Sequence, residues 1–299
     1  MIDITLLGSG GGMPMPNRHL SSMLISYQGR KILIDCGEGT QVAMRKLHTG
    51  FKSIDIICIT HFHGDHIFGL PGLLSTMANS DRTEPITIIG PVGLKDMMEG
   101  LLVVIPYLPY DIHLIENPQG TLKLNDMYIS TMKLQHSMPC LGYGFYVPRL
   151  PKFDLKRAIE NKIPRKIWSK LQKGEAVSYE GKDYSPDLVL GEKRRGIKIS
   201  YITDTRPIDE IVEFISESDL FVCEGTYGAD EDLEKAIKNK HMTFKEAAEL
   251  AYKGRVKELL LTHFSSSMDE PELCRINAEN VFKNTIIGYD GYMKTLSYR

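Results

Sequence analysis

The feature that most constrains this chain is the segment Thr60–His66, which reads THFHGDH. It follows the apolar segment Ile54–Ile59, whose length and composition predict a β-strand buried on both faces. Because alternate residues share a face in extended backbone, His61 and His63 point in the same direction. Three of the nine histidines of the chain lie here beside an aspartate, which is typical of a metal site. A loop that is rich in histidine by chance is the less favoured alternative.

The end of this motif places further ligands on the other side of a turn. Gly64 permits a tight turn, after which Asp65 and His66 enter a helix. Four metal-binding side chains within six residues therefore approach from two sides. This arrangement suits two neighbouring metal ions better than one.

Three further candidate ligands, His136, Asp204 and His263, each follow an apolar segment of strand length. Strands that lie side by side would bring these side chains together at one edge of a sheet. Taken alone, each has a plainer interpretation. A single histidine after a strand is commonly a surface residue, and Asp204 could cap the helix predicted from Ile208. Their joint occurrence with Thr60–His66 favours the metal site.

Strands and helices are mixed along the whole chain, which predicts an α/β protein. The predicted strands are Ile4–Leu7, Lys31–Asp35, Ile54–Ile59, Met127–Leu134, Ile197–Ile202, Asp219–Val222 and Glu258–Leu261. The predicted helices are Gln41–Leu47, Ile67–Met77, Leu94–Leu101, Ile208–Ser216, Thr243–Lys253 and Pro271–Phe282. We expect Gly8–Gly12 to form a loop. The pattern alone favours a doubly wound parallel sheet.

The segment Arg149–Lys173 stands apart by its charge. It has nine basic and two acidic residues, a local charge of +7, whereas the chain of 299 residues has a net charge of −2. Two short helices are predicted here, Asp154–Asn161 and Pro164–Leu171. The residues expected to form the seam between them are Phe153, Ile159, Ile167, Trp168 and Leu171. This seam is too small for an independent core, so we predict an arm that projects from the main domain.

Composition excludes several classes of protein. With 42% hydrophobic and 25% charged residues, the chain is typical of a globular enzyme and not of a disordered tail. The five cysteines are scattered, and no CxxC pair indicates a disulfide framework or a thiolate zinc site. No apolar run approaches the roughly 20 residues of a membrane span, and the start lacks the pattern of a signal peptide. We therefore expect reduced thiols and a cytoplasmic protein.

These features resemble the metallo-β-lactamase superfamily, and more closely its ribonuclease Z (tRNA 3′-endonuclease) branch. The matching segments are Leu7–Pro14, Ile34–Gln41, Ile59–Leu74, Ile86–Gly93, His136–Gly142, Pro186–Gly191 and Gly196–Pro207. The resemblance covers nearly the whole chain. It implies an αββα sandwich of two mixed sheets in place of the parallel sheet. It also implies one domain over residues 1–299, with the basic arm inserted at 149–174.

The same resemblance implies a ligand set for two zinc ions. The ligands would be His61, His63 and His136 for one ion, Asp65, His66 and His263 for the other, and Asp204 as a bridge between both. Manganese or iron would also suit these residue types. The residual positive charge would suit an anionic phosphodiester.

Three residues are implied to act in catalysis. Asp65 would be the base for the attacking water, and His241 the general acid or a phosphate contact. Glu224 would orient His241. The alternatives are that His241 only precedes a helix and that Glu224 is a structural carboxylate bound to backbone amides.

The activity implied is zinc-dependent cleavage of precursor tRNA after the discriminator base, leaving a 3′-hydroxyl. The basic arm would bind the tRNA body through Lys152, Lys156, Arg157, Lys162, Arg165, Lys166, Lys170 and Lys173. A homodimer, in which the arm of one subunit serves the site of the other, also follows from the resemblance.

Two positions depart from the family pattern and keep other functions open. Pro164 is followed by Arg165-Lys166 where the family has Gly-Pro, and Ser267-Met268 stand where the family has Arg-Tyr. One alternative is a paralogue that hydrolyses another phosphodiester or a small molecule. The other is an RNA-binding protein that keeps the fold without turnover.

Overall fold

The computed structural model describes residues 1–105 and 107–298. Its strands are β1 (Ile2–Gly8), β2 (Gly10–Gly11), β3 (Ser22–Tyr27), β4 (Arg30–Ile34), β5 (Ile54–Cys58), β6 (Ile86–Gly90), β7 (Ile112–Glu116), β8 (Leu122–Leu124), β9 (Met127–Leu134), β10 (Cys140–Arg149), β11 (Val177–Tyr179), β12 (Lys182–Tyr184), β13 (Arg194–Ile202), β14 (Leu220–Glu224), β15 (Leu259–Thr262), β16 (Phe264–Ser265), β17 (Thr285–Ile287) and β18 (Met293–Leu296). Its α-helices are α1 (Thr40–Lys46), α2 (Gly64–Ile67), α3 (Leu70–Ala78), α4 (Leu94–Leu102), α5 (Leu155–Glu160), α6 (Trp168–Gln172), α7 (Asp209–Ile215), α8 (Leu233–Asn239), α9 (Phe244–Lys253) and α10 (Arg275–Glu279). Short 3₁₀ turns cover Arg165–Ile167, Pro186–Leu188, Asp230–Asp232 and Pro271–Cys274.

Most strands belong to two seven-stranded sheets, with the orders β18-β1-β3-β4-β5-β6-β7 and β17-β15-β14-β13-β10-β9-β8. In the first, β4 to β7 run parallel, whereas β18, β1, β3 and β4 alternate in direction. In the second, β13, β14, β15 and β17 run parallel. Both sheets are mixed because short hairpins such as β3–β4 allow only antiparallel pairing. The single parallel sheet favoured by the strand–helix pattern alone is therefore wrong, and the two-sheet prediction is confirmed.

Helices pack on the outer face of each sheet. Helices α1, α3 and α4 pack on the first sheet through residues such as Met44, Leu73 and Met98. Helices α7, α9 and α10 pack on the second, where Phe221 and Cys223 of β14 face them. Strands buried on both faces must be apolar throughout, which explains why their sequences do not alternate. The result is a layered sandwich of helices, two sheets and helices.

The inner faces of the sheets meet around Tyr143 of β10. This fully buried tyrosine donates a hydrogen bond to the carbonyl of Ile59, at 2.6 Å, just beyond β5 of the other sheet. The contact satisfies a buried hydroxyl that would otherwise be costly. It lies directly before the histidine motif and holds the end of β5 in place.

Four predicted helices or loops differ in the structure. The predicted helix Pro164–Leu171 is the 3₁₀ turn Arg165–Ile167 followed by the short helix α6. The predicted helix Ile67–Met77 is divided into α2 and α3, because Gly69 lies against backbone. A Cβ on Gly69 would lie 2.1 Å from the carbonyl oxygen of Gly37. The predicted loop Gly8–Gly12 contains β2, which pairs with β16. The predicted helix Pro271–Phe282 is a 3₁₀ turn followed by the short helix α10.

Residues 146–197, together with Tyr298, form a second compact unit of the described chain. This second unit contains the predicted arm at 149–174 and continues beyond it to the β11–β12 hairpin. Asp154 begins α5 by accepting a hydrogen bond from Arg157 N at 3.1 Å. The buried apolar core of the unit consists of Ala158, Ile163, Ile167, Leu171, Val189 and Leu190. The prediction for Ile159 is wrong, since this residue is exposed. Val189 and Leu190 complete the core from outside the predicted arm.

Among residues 1–105 and 107–298, no helix has the length and apolar character needed to cross a lipid bilayer.

Candidate metal centre

The first ligand cluster forms where β5, β9 and β13 end. His61 Nε2 lies 3.0 Å from His63 Nδ1, which in turn lies 3.3 Å from His136 Nε2. Asp204 Oδ1 lies 3.7 Å from His61 Nε2 and 3.9 Å from His136 Nε2. Tetrahedral zinc with bonds of about 2.0–2.1 Å would hold two nitrogens about 3.3 Å apart. The four side chains therefore converge at separations that suit one cation.

The second cluster lies on the other side of Asp204. His66 Nε2 and His263 Nε2 are 3.1 Å apart, and Asp65 Oδ2 lies 3.5 Å and 3.4 Å from them respectively. Asp204 Oδ2 lies 3.3 Å from both imidazole nitrogens. The two oxygens of Asp204 thus face different clusters. This is the bridging arrangement that the resemblance implied.

The structure brings all seven sequence-predicted ligands together. They form the groups His61, His63, His136 and Asp204, and Asp65, His66 and His263, with the ligand atoms of each group within 4.8 Å of one another. Imidazoles and carboxylates that face one another without a proton donor between them are costly when buried. Two divalent cations would satisfy them, so the donor set fits the predicted metals. Which metal binds, and how many ions bind, stay predictions.

The ring nitrogens that face away from the clusters are occupied by protein groups. His66 Nδ1 lies 2.8 Å from Asp35 Oδ2, and His61 Nδ1 lies 3.1 Å from Thr60 Oγ1. Such partners fix the ring orientation and the tautomer of a metal-binding histidine. Sequence analysis did not single out Asp35 or Thr60. The available signal was their position at the carboxyl ends of β4 and β5, beside the motif.

The two histidine ligands that follow strands of the second sheet are supported in the same way. His263 Nδ1 lies 3.1 Å from Thr226 Oγ1, and His136 Nδ1 lies 3.2 Å from the carbonyl oxygen of Lys240. A second hydrogen bond joins the same two residues, since Lys240 Nζ donates to the carbonyl of His136 at 3.0 Å. Neither Thr226 nor Lys240 was predicted. Both lie on loops whose proximity to the ligands appears only in the folded chain.

Three residues of this centre have left-handed backbone conformation. Asp35, Asp204 and His263 have φ angles of 55°, 53° and 58°, a region that residues other than glycine seldom adopt. Asp35 and His263 follow β4 and β15 directly, and Asp204 lies two residues beyond β13. Strained residues of this kind are commonly found at functional sites, where packing holds them.

The glycine-rich segment closes one side of the centre. Gly12 N donates to Asp65 Oδ2 at 2.7 Å, which orients that carboxylate. A Cβ on Gly11 would lie 2.5 Å from the His263 ring, so only glycine leaves room for this ligand. Gly8–Gly12 is therefore a wall of the metal centre.

His241 lies beside the bridging aspartate and is bound by Glu224. Its Nδ1 is 3.1 Å from Glu224 Oε2 and 3.7 Å from Asp204 Oδ1. Burial alone would lower the pKa of His241, but the carboxylates of Glu224, Asp204 and Asp65 raise it to about 9. His241 is therefore protonated at neutral pH as long as no cation neutralises these carboxylates.

Glu224 makes the contacts that each of its two predicted roles would require. It is fully buried and accepts backbone hydrogen bonds from Thr205 N at 2.7 Å and Met242 N at 3.0 Å, as a structural carboxylate would. It also orients the His241 ring. Burial disfavours its ionised form, but the charge and hydrogen bond of His241 hold the pKa of Glu224 below its usual range.

Comparison with curated proteins identifies the family. A ribonuclease Z of Alkaliphilus oremlandii is 60% identical to this chain, and the alignment covers all of both proteins. Ribonucleases Z of Clostridium beijerinckii and Clostridioides difficile are 62% and 56% identical, over all of this chain and 99% of theirs. The chain belongs to the ribonuclease Z family. This membership confirms a metal-dependent hydrolase of the endoribonuclease class. It favours an enzyme over the RNA-binding protein without turnover.

Solved structures agree with this assignment. Human tRNase Z, short form, superimposes with a TM-score of 0.70 at 25% identity and covers 99% of both chains. The metallo-β-lactamase fold protein YhfI from Bacillus subtilis gives a TM-score of 0.72 at 20% identity, covering 99% of this chain and all of that one. The second likeness concerns the fold alone. A family model described as the anti-Pycsar protein Apyc1 also matches residues 2–103 of this chain.

Proposed function

We propose that this chain cleaves precursor tRNA after the discriminator base, using two zinc ions, and leaves a 3′-hydroxyl on the tRNA. The observation that carries the proposal is the placement of Asp204, with one oxygen toward each histidine cluster. A carboxylate shared in this way is typical of a site for two metals that acts on phosphodiesters. Relatives that are 54–62% identical over the full chain are ribonucleases Z, which favours tRNA over another substrate.

Bound zinc would supply positive charge and Lewis acidity at the phosphodiester. Asp65 accepts a hydrogen bond from Gly12 N. Burial raises its pKa, but the hydrogen bonds and charges of His263 and His66 outweigh this effect and hold the pKa of Asp65 far below the usual range. It is therefore ionised and accepts a hydrogen bond from the attacking water. A carboxylate this acidic is a poor final acceptor for a proton. We infer that Asp65 orients the attacking water and holds the proton taken from this water only briefly.

His241 provides the proton that the leaving 3′-oxygen needs. Its Nδ1 is occupied by Glu224, so Nε2 is the atom from which a proton is given. Arg206 donates to the carbonyl oxygen of His241 and pairs with Glu246, whose side chain also caps α9. The contact of Arg206 holds the backbone of His241, and the contact of Glu224 holds its ring. A fixed donor beside the ligands suits general acid catalysis.

The basic arm is proposed to bind the tRNA body. All eight candidate side chains are exposed: Lys152, Lys156, Arg157, Lys162, Arg165, Lys166, Lys170 and Lys173. Two of them also support the unit itself, since Arg157 donates to the carbonyl of Leu190 and Arg165 lies over Trp168. The remaining lysines are thus the better targets for a test of RNA binding. Lysine contacts to phosphate give affinity that falls steeply with salt.

The test of the proposed activity is cleavage of a 3′-extended tRNA by the zinc-loaded protein, with mapping of both new ends. We expect one cut after the discriminator base, a 3′-hydroxyl on the tRNA and a 5′-phosphate on the trailer. Hydrolysis of a model phosphodiester without any cut in the precursor would instead support the paralogue hypothesis.

The test of the arm replaces Lys162, Lys166, Lys170 and Lys173 together by alanine. We expect a higher KM for the precursor, a smaller salt dependence of KM, and unchanged hydrolysis of a small phosphodiester. The matched control replaces four exposed lysines of the first unit: Lys52, Lys95, Lys253 and Lys283. Equal effects of the two variants on the precursor would contradict the role of the arm.

We further propose a cytoplasmic homodimer. Support for the dimer comes from the family resemblance, in which the arm of one subunit serves the site of the other. Light scattering on the purified protein should give twice the mass of 33.8 kDa. A monomeric mass would contradict this part of the proposal alone.

A further inference from the structure

One aromatic side chain at the metal centre has no role in the mechanism described above. Phe68 follows α2 directly and is 63% exposed, although its neighbours Ile67 and Leu70 are 5% and 0% exposed. Among the residues that the structure describes, it is the only exposed phenylalanine. Burying an apolar ring is favourable, so a well-exposed ring is available to a binding partner.

The position of this ring is fixed against the ligand segment. Phe68 N donates to the carbonyl oxygen of Gly64 at 2.9 Å. A Cβ on Gly64 would lie 2.4 Å from Phe68 Cε2, so the ring lies directly against this glycine. Gly64 separates His63 of the first cluster from Asp65 of the second. The ring is therefore beside the point where the two ligand clusters meet.

Single-stranded RNA offers a partner of suitable chemistry. Its unpaired bases stack on exposed aromatic side chains, and each such contact gives roughly a 5- to 150-fold gain in affinity. A substrate cut at this centre must bring the two nucleotides around the scissile phosphodiester close to both clusters. One of their bases can then reach a ring that adjoins Gly64.

The geometry assigns Phe68 as the stacking platform for a base that flanks the scissile phosphodiester. This inference rests on the proposed function, because it requires an RNA substrate in the metal centre. It goes beyond that function by naming a residue that positions the substrate and contacts neither the metals nor the phosphate. A side chain at position 64 would displace the ring from this place.

The test compares Phe68→Ala with Phe68→Tyr on a 3′-extended tRNA, using the zinc-loaded full-length protein. We expect Phe68→Ala to raise KM or lower kcat/KM about tenfold, a typical loss for one stacked base. Phe68→Tyr keeps the ring and should retain the wild-type values. Methyl p-nitrophenyl phosphate, a small phosphodiester, should be hydrolysed equally by all three proteins, which reports on an intact metal centre.

Two further precursors identify the base. One is abasic at the nucleotide before the cut and the other at the nucleotide after it. If Phe68 stacks on one of these bases, Phe68→Ala will have little effect on the matching abasic precursor and its full effect on the other. Tyr252→Ala, which removes an exposed aromatic ring far along α9, is the matched control and should behave as wild type on every substrate.

Several results would overturn the inference. One is a kcat/KM of Phe68→Ala on the intact precursor that equals the wild-type value. Another is a kcat/KM of Phe68→Ala that falls by the same factor on all three precursors. A shift of Phe68→Ala to a smaller mass in light scattering would assign the ring to a subunit interface instead. The proposed function fails separately, if the wild-type protein hydrolyses the small phosphodiester but leaves the precursor intact.

Discussion

Glu224 Oε2 lies 3.1 Å from His241 Nδ1, and this contact raises the pKa of the residue that we propose as the general acid. The general acid acts in its protonated form, so cleavage falls as pH rises through the pKa of His241. That pKa is about 9 with the carboxylates unneutralised, and bound cations will lower it. Glu224→Gln removes the negative charge and should move the alkaline limb down by about 1–3 pH units.

The measurement is kcat/KM for the precursor between about pH 6 and 10. Glu279→Gln is the matched control, because Glu279 pairs with Arg275 on α10 and takes no part in the contacts described for His241. An alkaline limb that is the same in Glu224→Gln and wild type would show that His241 is not the acid.

The bridge at Asp204 predicts unequal metal losses among ligand variants. His63→Ala should abolish cleavage and reduce bound zinc from two ions to about one, because His63 belongs to one cluster only. Asp204→Ala should weaken both sites, since each of its oxygens faces a different cluster. Zinc is measured by atomic absorption after dialysis. His113→Ala is the control and should retain both ions, and equal losses in His63→Ala and Asp204→Ala would argue against bridging.

The support of His66 by Asp35 predicts an effect on metal affinity without loss of a ligand. Asp35→Asn replaces the carboxylate that lies 2.8 Å from His66 Nδ1. Changes of this kind cost about 10- to 100-fold in metal affinity. Competition with a chelator measures the effect, and Asp55→Asn on the neighbouring strand β5, which pairs with Arg30, is the matched control. A metal affinity of Asp35→Asn equal to that of wild type would show that Asp35 does not support metal binding through His66.

The glycine wall predicts a steric effect. Gly11→Ala places a Cβ 2.5 Å from the His263 ring, so the ring must move and zinc binding should fall. Gly100→Ala is the contrasting variant, because a Cβ there meets nothing within 4 Å in the middle of α4. It should leave zinc binding intact and stabilise the fold by about 0.5–1 kcal/mol. Thermal unfolding and zinc content distinguish the two, and normal zinc in Gly11→Ala would contradict the proposed contact.

The seven candidate ligands could be predicted because five of them follow the ends of strands, a position that local sequence reveals. The other two, Asp65 and His66, lie in α2 directly after the turn at Gly64. The paired grouping around Asp204 came from the family resemblance, and the structure places the side chains in that grouping. The apolar strands were predicted less completely. The missed strands are β2, β3, β6, β7, β8, β10, β11, β12, β16, β17 and β18. Most of them are short and acquire their structure from pairing and not from their own composition. Strand β10 is long, but its two glycines and its proline weaken the local signal for a strand.

The sequence by itself determined the residue types and spacing of the metal centre, because a histidine motif at a strand end needs only local backbone geometry. It also determined the basic charge of the arm. Only the tertiary structure decided that Asp35, Thr60, Thr226 and Lys240 support the ligands, and that Phe68 lies against Gly64. These contacts depend on loops from separate strands that meet at one edge of the sandwich. Their proximity is set by sheet order and packing, which no local pattern encodes.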